Sequence, residues 1–400
     1  MKNVLMVLDK EFPSDDRVEK EALSLIQNGF NVSILCPTFR KRSKKEEYKG
    51  IYIFRFSLNK IIFNKILGLI QTFPIYKYLW LNNIGRLIKS RNIDILHIHD
   101  LPLCCTIDEI KKKRKVKIVA DMHENYPAMV AGQEHVKRFP NRYLISIKKW
   151  YKLEKEWLNN ADIIICTASG MIQRLRNNLN SHKTFVLVPN TIDVDEFKAS
   201  QNNDLVIEQK FADDFVLLSY GVVSEQRGIQ YVIDAVHLLK EKIQHIKLVV
   251  LGDGTFLNNL KSKAETLNIW ENVAFEGWQN QSMLISYMKN TDICMIPHIK
   301  TEHTDNTSPN KLFHFMYFGK PIVASDCRYI QEIIEEEQCG LIYKYDDPKA
   351  LADCIMELYL DENKRANLGK NGEKAIFNKY NWHSTVKPMI DKYMELTSED

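Results

Sequence analysis

The chain has 400 residues, of which 45% are hydrophobic and 26% are charged. These proportions exclude a disordered, collagen-like or disulfide-scaffold protein, and the length predicts two domains or one large one. The longest uncharged stretch, residues 22–39, contains Gly29 and Pro37, so it predicts a helix, a turn and a strand rather than a membrane span. We expect no secretory signal, and the eight scattered cysteines predict free thiols in a reducing cytoplasm.

Charge is distributed unevenly along the chain. Residues 1–200 carry 34 Lys and Arg against 21 Asp and Glu, a net charge of +13, whereas residues 201–400 carry 21 against 30, a net charge of −9. A basic half predicts contact with something anionic. Because no nucleic-acid-binding motif accompanies the charge, we expect an anionic membrane surface or a phosphate-bearing acceptor and no nucleic acid.

Short apolar runs alternate with helical patterns through the first half. Helical patterns cover residues 17–28, 76–89 and 143–159. Strand patterns cover residues 4–8, 32–36, 51–56, 93–98, 117–120, 163–167 and 184–188. Because the strand patterns are almost wholly apolar, they predict a parallel sheet that is covered by helices on both faces.

The alternation pauses in the polar stretch 197–214 and then begins again. The later strand patterns cover residues 215–220, 247–251, 273–275, 293–296 and 321–324. We therefore predict an α/β protein of two doubly wound, Rossmann-like domains that face each other across a cleft, with the boundary between residues 198 and 199. Ligands of such sheets bind outside the carboxyl ends of the strands.

Two cations in the second half stand where a parallel sheet binds phosphate. Ser308 is suited to cap an apolar helix that begins at Pro309. The N–H groups of Asn310 and Lys311 would then point out of the helix and, with the Lys311 ammonium, form an anion site. Arg227 follows a strand pattern in a glycine-containing loop, where its planar fork suits a diphosphate. The alternatives are a capped core helix without a ligand and a solvated arginine.

Histidines and acids follow two strand patterns of the first half. His99 and Asp100 follow one pattern, and Asp121 and His123 follow the next, where side chains reach the ligand-binding edge. Such histidines are also common as structural residues. Their spacing is not that of a metal site, so we predict no bound metal.

The loop after the first strand pattern leads into a helix through Ser14, Asp15, Asp16 and Arg17. Either aspartate is suited to cap this helix. Arg17, one residue further, can face the cleft.

Residues 59–91 mix aliphatic and aromatic side chains with basic ones and contain no Asp or Glu. This pattern is typical of a face that lies on anionic lipid, and the basic run at 111–115 adds to the charge. The alternative is a solvated helix face above ordinary core residues.

Short motifs along nearly the whole chain resemble those of the retaining glycosyltransferases of family four, which have the GT-B fold. In the first half they are FPSDDRVEKEA from Phe12, HIHD from His97, HE from His123 and VPNTID from Val188. In the second half they are GVVSEQRG from Gly221, GDG from Gly252, FEG from Phe275, SPNK from Ser308 and GKP from Gly319. The first motif resembles a subgroup common in bacterial polysaccharide clusters.

The resemblance implies a hexosyltransferase that moves a sugar from a nucleotide-sugar donor to a saccharide or lipid-linked saccharide acceptor in cell-surface polysaccharide biosynthesis. It implies a cytoplasmic, peripheral location at the inner membrane surface, and no metal or other cofactor. Residues 1–198, completed by a helix at 380–400, would bind the acceptor. Residues 199–379 would bind the donor.

The resemblance also implies roles for individual residues. Arg227 and Lys311 would hold the donor diphosphate, and His123 would approach the donor sugar, so that these three form the catalytic group. Residues that face the acceptor would be Asp15, Arg17 and His99. Residues that bind the donor would be Gly221, Arg227, Gly252, Gly277, Gln279, Asn306, Ser308, Pro309, Asn310, Lys311 and His314.

The chain departs from the family at two positions eight residues apart, where the family has glutamates. Here they are Asn306 and His314, and His314 can still bind a ribose hydroxyl. The departure keeps a non-catalytic nucleotide-sugar-binding relative open as an alternative. A GT-B-fold sugar-nucleotide epimerase is the other alternative.

Overall fold

The computed structural model describes residues 1–13, 15–133, 136, 139, 145–199 and 204–398. The chain divides into two compact units, which we call unit 1 (Met1–Pro189 with Val386–Asp400) and unit 2 (Asn190–Thr385). Ser14, the predicted helix start at residue 143 and part of the predicted linker near residue 200 lie outside the described residues.

The observed divisions differ from the predicted boundaries at residues 198 and 380. Residues after Pro189 belong to unit 2 because Asn190 Nδ2 donates to the Ser308 carbonyl oxygen over 3.0 Å. The second division falls inside the last helix, after Thr385, whose hydroxyl lies 2.6 Å from that of Thr191 in unit 2.

Unit 1 contains an eight-stranded sheet. Its strands are β1 (Asn3–Val7), β2 (Asn31–Thr38), β3 (Lys45–Tyr48), β4 (Ile51–Ser57), β5 (Ile95–His99), β6 (Lys117–Met122), β7 (Ile163–Cys166) and β8 (Thr184–Leu187). They lie in the order β3-β4-β2-β1-β5-β6-β7-β8, and every neighbouring pair is parallel except β3 with β4. The strand order reverses between β1 and β5, which is where doubly wound sheets bind ligands.

The helices of unit 1 connect these strands. They are α1 (Asp16–Gln27), α2 (Lys60–Gly68), α3 (Ile75–Arg91), α4 (Ile107–Lys113), α5 (Tyr126–Ala131), α6 (Ile147–Leu158) and α7 (Ser169–Asn178), with a 3₁₀ helix at Leu101–Thr106. Asp15 caps α1, as predicted for one of the two aspartates, because its Oδ1 accepts a hydrogen bond from the Val18 N–H over 3.3 Å.

Unit 2 contains a six-stranded, wholly parallel sheet. Its strands are β9 (Phe215–Tyr220), β10 (Ile246–Leu251), β11 (Val273–Gly277), β12 (Ile293–Ile296), β13 (Ile322–Ser325) and β14 (Gly340–Tyr343). They lie in the order β11-β10-β9-β12-β13-β14, which reverses between β9 and β12.

The helices of unit 2 are α8 (Val194–Ala199), α9 (Leu205–Lys210), α10 (Ile229–Leu239), α11 (Leu257–Thr266), α12 (Gln281–Lys289), α13 (Asn310–Tyr317), α14 (Arg328–Glu337), α15 (Pro348–Leu360) and α16 (Glu362–Asn378). Short 3₁₀ helices occur at Glu225–Arg227, Trp270–Asn272 and Thr304–Asn306. The last helix, α17 (Trp382–Ser398), begins in unit 2 and ends in unit 1.

The predicted fold class, with two doubly wound Rossmann-like sheets, is confirmed. Most strands are buried along their length because helices cover both faces, which explains their continuous apolar patterns. Two edge strands were not predicted. β3 consists of Lys45, Glu46, Glu47 and Tyr48, which are polar because that edge faces water, and β14 is a short edge strand.

All eight cysteines are free thiols, and seven of them are buried, as predicted. Within the described ranges, no helix combines the length and the hydropathy needed to span a bilayer.

Candidate functional site

The predicted glycines of unit 2 line the carboxyl edge of three neighbouring strands. Gly221 follows β9, Gly252 follows β10 and Gly277 ends β11. The Gly252 N–H donates to the Gly277 carbonyl oxygen over 2.6 Å. Gly252 has a φ of 134°, and a Cβ there would lie 1.9 Å from the Gly221 carbonyl oxygen. Only glycine allows this close approach of the two loops.

Arg227 lies at this edge because Gly228 brings its loop against the end of β12. Gly228 has a φ of 69°, and a Cβ there would lie 1.6 Å from the Pro297 carbonyl oxygen. Arg227 therefore lies where the strand order reverses. Its Nη1 donates to Nε2 of the buried His298 over 3.1 Å.

Lys311 is the second cation of this cluster. It lies in the first turn of α13 and is only 8% exposed. Burial, and then the charge of Arg227, hold the pKa of Lys311 well below its usual value. Burial and the charges of Lys311 and Arg227 likewise lower the pKa of His298, so this imidazole is neutral. A bound anion beside Lys311 would oppose both effects and favour the charged ammonium form of this side chain.

The Lys311 ammonium has no carboxylate partner in the part of the chain that the structure describes. A buried cation without a counter-charge is costly. Arg227 and Lys311, brought together here from positions 84 residues apart in the sequence, therefore form a site that favours an anionic ligand.

The start of α13 differs from the prediction by one residue. Pro309 has φ −74° and ψ 126°, which is extended, so Asn310 is the first helical residue. Ser308 does not cap the helix. Its Oγ accepts from the Asn190 N–H over 3.3 Å, and its carbonyl oxygen accepts from Asn190 Nδ2. Ser308 therefore fixes the chain that enters α13, while the first N–H groups of the helix remain uncapped by a side chain.

The other predicted donor-binding side chains form hydrogen bonds within unit 2. Asn306 Nδ2 and Gln279 Nε2 each donate to a nearby backbone carbonyl oxygen over 2.6 Å. His314 Nδ1 lies 2.6 Å from the hydroxyl oxygen of Tyr220, and the two rings are stacked with centroids 6.0 Å apart. These bonds orient the three side chains, and their contact with a donor stays a prediction.

The predicted residues of unit 1 converge on Asp121, near the end of β6. Arg17 reaches it from α1, with Nη2 3.1 Å from Asp121 Oδ1 and 2.9 Å from Glu21 Oε1. Arg17 Nη1 donates to the Val188 carbonyl oxygen over 2.8 Å. Arg17 is therefore a buried, ion-paired residue, and its predicted position facing the acceptor stays a prediction.

His123 links Asp121 to His99. Its Nε2 lies 2.9 Å from Asp121 Oδ2 and 3.2 Å from His99 Nδ1. Burial opposes protonation of His123, but Asp100 and Asp121 outweigh it and raise its pKa to about 9. Burial and the neighbouring His97 lower the pKa of His99 to about 3. At neutral pH, His123 is therefore a cationic donor, and His99 is neutral and fully buried.

Four buried groups in this cluster have the geometry to hold a metal ion. One ligand atom from each lies within 4.8 Å of the others, and the residues are Glu21, His97, His99 and Asp121. The Arg17 guanidinium already contacts both carboxylates, so it supplies the positive charge that an ion would bring. The predicted absence of a metal stays a prediction.

Sequence reasoning missed Glu21, His298 and Tyr393. Burial raises the pKa of Glu21 to about 8, although the charge of Arg17 opposes it. The Tyr393 hydroxyl oxygen, from the end of α17, lies 2.6 Å from His97 Nδ1. Glu21 and Tyr393 lie on helices, where the sequence gives no sign that a polar side chain points inward. His298 follows β12, and the reasoning used for His99 could have identified it.

Two family models match most of the chain between them. The model described as Glycosyltransferase Family 4 matches residues 18–196, and the model described as Glycosyl transferases group 1 matches residues 200–375. The chain belongs to the family-four glycosyltransferases. This confirms the resemblance that the motifs indicated, and with it the transferase class.

Relatives of this family-four chain include enzymes that are named for different products or processes. It is 26% identical to alpha-monoglucosyldiacylglycerol synthase of Streptococcus pneumoniae, over 67% of this chain and 59% of that enzyme. It is 22% identical to the lipopolysaccharide core biosynthesis glycosyltransferase LpsE of Rhizobium meliloti, over 73% of this chain and 81% of that protein.

The fold is also that of HepE from Anabaena, which was solved in complex with UDP and glucose. The TM-score is 0.72 at 14% identity, and the match covers 99% of this chain and all of that one. At this identity the likeness shows the fold alone.

Proposed function

We propose that this family-four chain is a retaining hexosyltransferase that moves a sugar from a nucleotide-sugar donor to a lipid-linked saccharide acceptor in cell-surface polysaccharide biosynthesis. The observation that carries the proposal is the Lys311 ammonium, buried beside Arg227 at the ligand-binding edge of unit 2. A diphosphate supplies the negative charge that these cations require. The solved structure of HepE in complex with UDP supports a nucleotide as a ligand of this fold.

The chemistry breaks the bond between the sugar and the diphosphate. Negative charge grows on the leaving oxygens, so Arg227, Lys311 and the first N–H groups of α13 stabilise the transition state more than the ground state. In a retaining reaction the departing phosphate itself accepts the proton of the acceptor hydroxyl. No carboxylate base is then needed, and His314 can bind a ribose hydroxyl of the donor where the family has a glutamate.

Unit 1 contributes a fixed donor group, His123. Because its pKa is raised to about 9, the imidazolium donates hydrogen bonds at neutral pH and does not act as a base. We assign it to a hydroxyl of the donor sugar. Arg17 and His99 hold Asp121 and His123 in place, and Asp15 remains at the edge of this cluster as an acceptor-facing residue.

The lipid-linked acceptor and the peripheral location on the cytoplasmic membrane face rest on charge and on relatives. Residues 1–200 have a net charge of +13. One relative is named for a glycolipid product and another for lipopolysaccharide core biosynthesis. The motifs support a reaction without a metal cofactor.

A melting-temperature screen tests the donor assignment first. Purified protein is heated with a panel of nucleoside diphosphates and nucleotide sugars, because a ligand that binds only the folded state raises the melting temperature. The best donor is then incubated with saccharide acceptors, and the anomeric configuration of the product is read by NMR. Binding without product would favour the non-catalytic relative, and a changed donor sugar without transfer would favour the epimerase.

A further inference from the structure

Unit 1 exposes six large apolar side chains within eighteen residues. They are between 40% and 66% exposed, and we call them the apolar surface: Ile61, Ile62, Leu69, Phe73, Ile75 and Tyr78. The described residues include nineteen exposed large hydrophobic side chains in all, so about a third of them lie in this short segment. Scattered exposed apolar residues are ordinary, but such a concentration marks an interaction site.

The opposite side of the same segment is firmly held in unit 1. Phe63, Tyr76 and Trp80 are buried, with ring centroids 5.9 Å apart for the first pair and 6.2 Å for the second. Gln71 exchanges two hydrogen bonds with the backbone of Ser146, at 2.9 and 3.0 Å. The segment that carries the apolar surface is therefore packed against unit 1 through other side chains, and its six exposed side chains are not needed for that packing.

The turn between α2 and α3 pairs three of its backbone N–H groups within itself. The N–H groups of Thr72 and Phe73 both donate to the Leu69 carbonyl oxygen over 2.9 Å, and that of Ile70 donates to the Leu67 carbonyl oxygen over 3.1 Å. Because these three donors are paired internally, they can leave water without the cost of unsatisfied N–H groups.

The charge around the apolar surface is of one sign. Residues 59–91 contain no Asp or Glu, and Lys60 and Lys65 are exposed on α2. Neither ammonium has an ion-pair partner in the described ranges. Exposed apolar and aromatic side chains combined with lysines are typical of helices that lie in the interface of an anionic bilayer.

The segment also contacts the edge of unit 1 where the strand order reverses. The Tyr76 hydroxyl lies 3.4 Å from Asp9 Oδ2, two residues beyond the end of β1. The same helix, α3, therefore carries part of the apolar surface on one side and reaches the candidate site region on the other.

We infer that the apolar surface binds an anionic phospholipid bilayer, with its six side chains at the boundary of headgroups and acyl chains and Lys60 and Lys65 on the headgroups. Surfaces of this kind enter to a depth of about 5–10 Å. The inference deepens the proposed function and rests on it for the lipid-linked acceptor, which unit 1 would meet at the bilayer surface. The binding itself needs no transferase activity.

Vesicle flotation of the full chain tests the surface directly. The probes are vesicles of phosphatidylcholine alone and of phosphatidylcholine with phosphatidylglycerol, each at low and high salt. We expect the protein to float with the anionic vesicles at low salt. Binding should weaken at high salt because salt screens the attraction between the lysines and the anionic headgroups.

Matched variants separate the apolar and the charged contributions. I62E/F73E should bind at least tenfold more weakly, and K60Q/K65Q about fivefold more weakly per lysine. The control L238E/L360E changes two exposed leucines of unit 2, 47% and 74% exposed, and should float as the wild type does.

The inference is overturned if wild-type protein does not float, or if I62E/F73E floats as the wild type does. It is also overturned if light scattering shows that the wild type is a dimer and that I62E/F73E is a monomer whose vesicle binding is unchanged. Transfer to a water-soluble acceptor is measured on the same variants and should be unchanged. Failure of transfer in protein that still floats would count against the proposed function and leave the docking surface standing.

Discussion

The two units treat buried charge in opposite ways. In unit 1, the buried Asp121 carboxylate is matched by two cations, with Arg17 Nη2 3.1 Å from its Oδ1 and His123 Nε2 2.9 Å from its Oδ2. In unit 2, Lys311 is buried beside another cation. The first arrangement stabilises the folded protein without a ligand. The second destabilises the folded protein until an anion binds and supplies the opposite charge. Loss of a cation should therefore affect folding in one unit and catalysis in the other.

The largest expected effect is on folding, in unit 1. Arg17→Met leaves Asp121 and Glu21 buried without their partner, and we expect it to lower the free energy of unfolding by about 3–5 kcal/mol, as for other broken buried ion pairs. The control is Lys49→Met, which removes an exposed ion pair with Glu19 at 2.6 Å and should cost less than about 1 kcal/mol. Urea titration measures both. Equal losses would show that the Arg17 cluster is not a stabilising element.

The next effect is on catalysis, in unit 2. Lys311→Met should lower turnover by roughly 10²–10³, because a group that stabilises the leaving charge is lost. Its melting temperature without ligand should equal or exceed that of the wild type, since a buried unpaired ammonium is removed. Initial rates and thermal melts are the measurements.

The control for this substitution is Lys320→Met. Lys320 is a partly buried lysine of unit 2 whose ammonium donates to the Lys289 carbonyl oxygen over 2.8 Å. Its loss should leave turnover within a few-fold of wild type. Near-normal transfer by an Arg227→Ala/Lys311→Met double variant would contradict the assignment of the anion site.

A smaller effect depends on pH. The folded pKa of His123, about 9, is above the ordinary histidine value, so its contribution to stability is fully present below about pH 6.5 and is lost as the pH rises through about 9. The stability advantage of wild type over His123→Asn should therefore fall by about 3 kcal/mol between pH 6 and pH 10. Asp100→Asn should move this loss to lower pH. A difference that is constant with pH would refute the charged state of His123.

The smallest expected effect is that of a chelator. Because Arg17 occupies the cationic position beside Glu21 and Asp121, dialysis against EDTA should change neither turnover nor melting temperature. Activity that disappears on dialysis and returns with Zn²⁺ or Mg²⁺ would make the Glu21, His97, His99 and Asp121 group a metal site.

Prediction from sequence succeeded where local rules determine structure. Parallel strands are buried on both faces, so their apolar runs are visible, and the strand ends placed Arg227, His99 and His123 at the carboxyl edges of the two sheets. The functional roles of these three residues stay predictions. Prediction was less successful where distant segments meet. Nothing local shows that Arg17 turns inward to Asp121, or that Ser308 binds Asn190 instead of capping α13. The charged edge strand β3 lacked the apolar signal altogether.

The last helix of the chain has a consequence for biosynthesis. Tyr393 is fully buried in unit 1, against His97 and 5.8 Å from the Phe30 ring, although more than 250 residues separate it from both. A ribosome translates all of Asn190–Thr385 before it reaches this tyrosine. Unit 1 is thus begun before unit 2 and completed after it, and a nascent chain leaves His97 without its tyrosine partner until Tyr393 has been made.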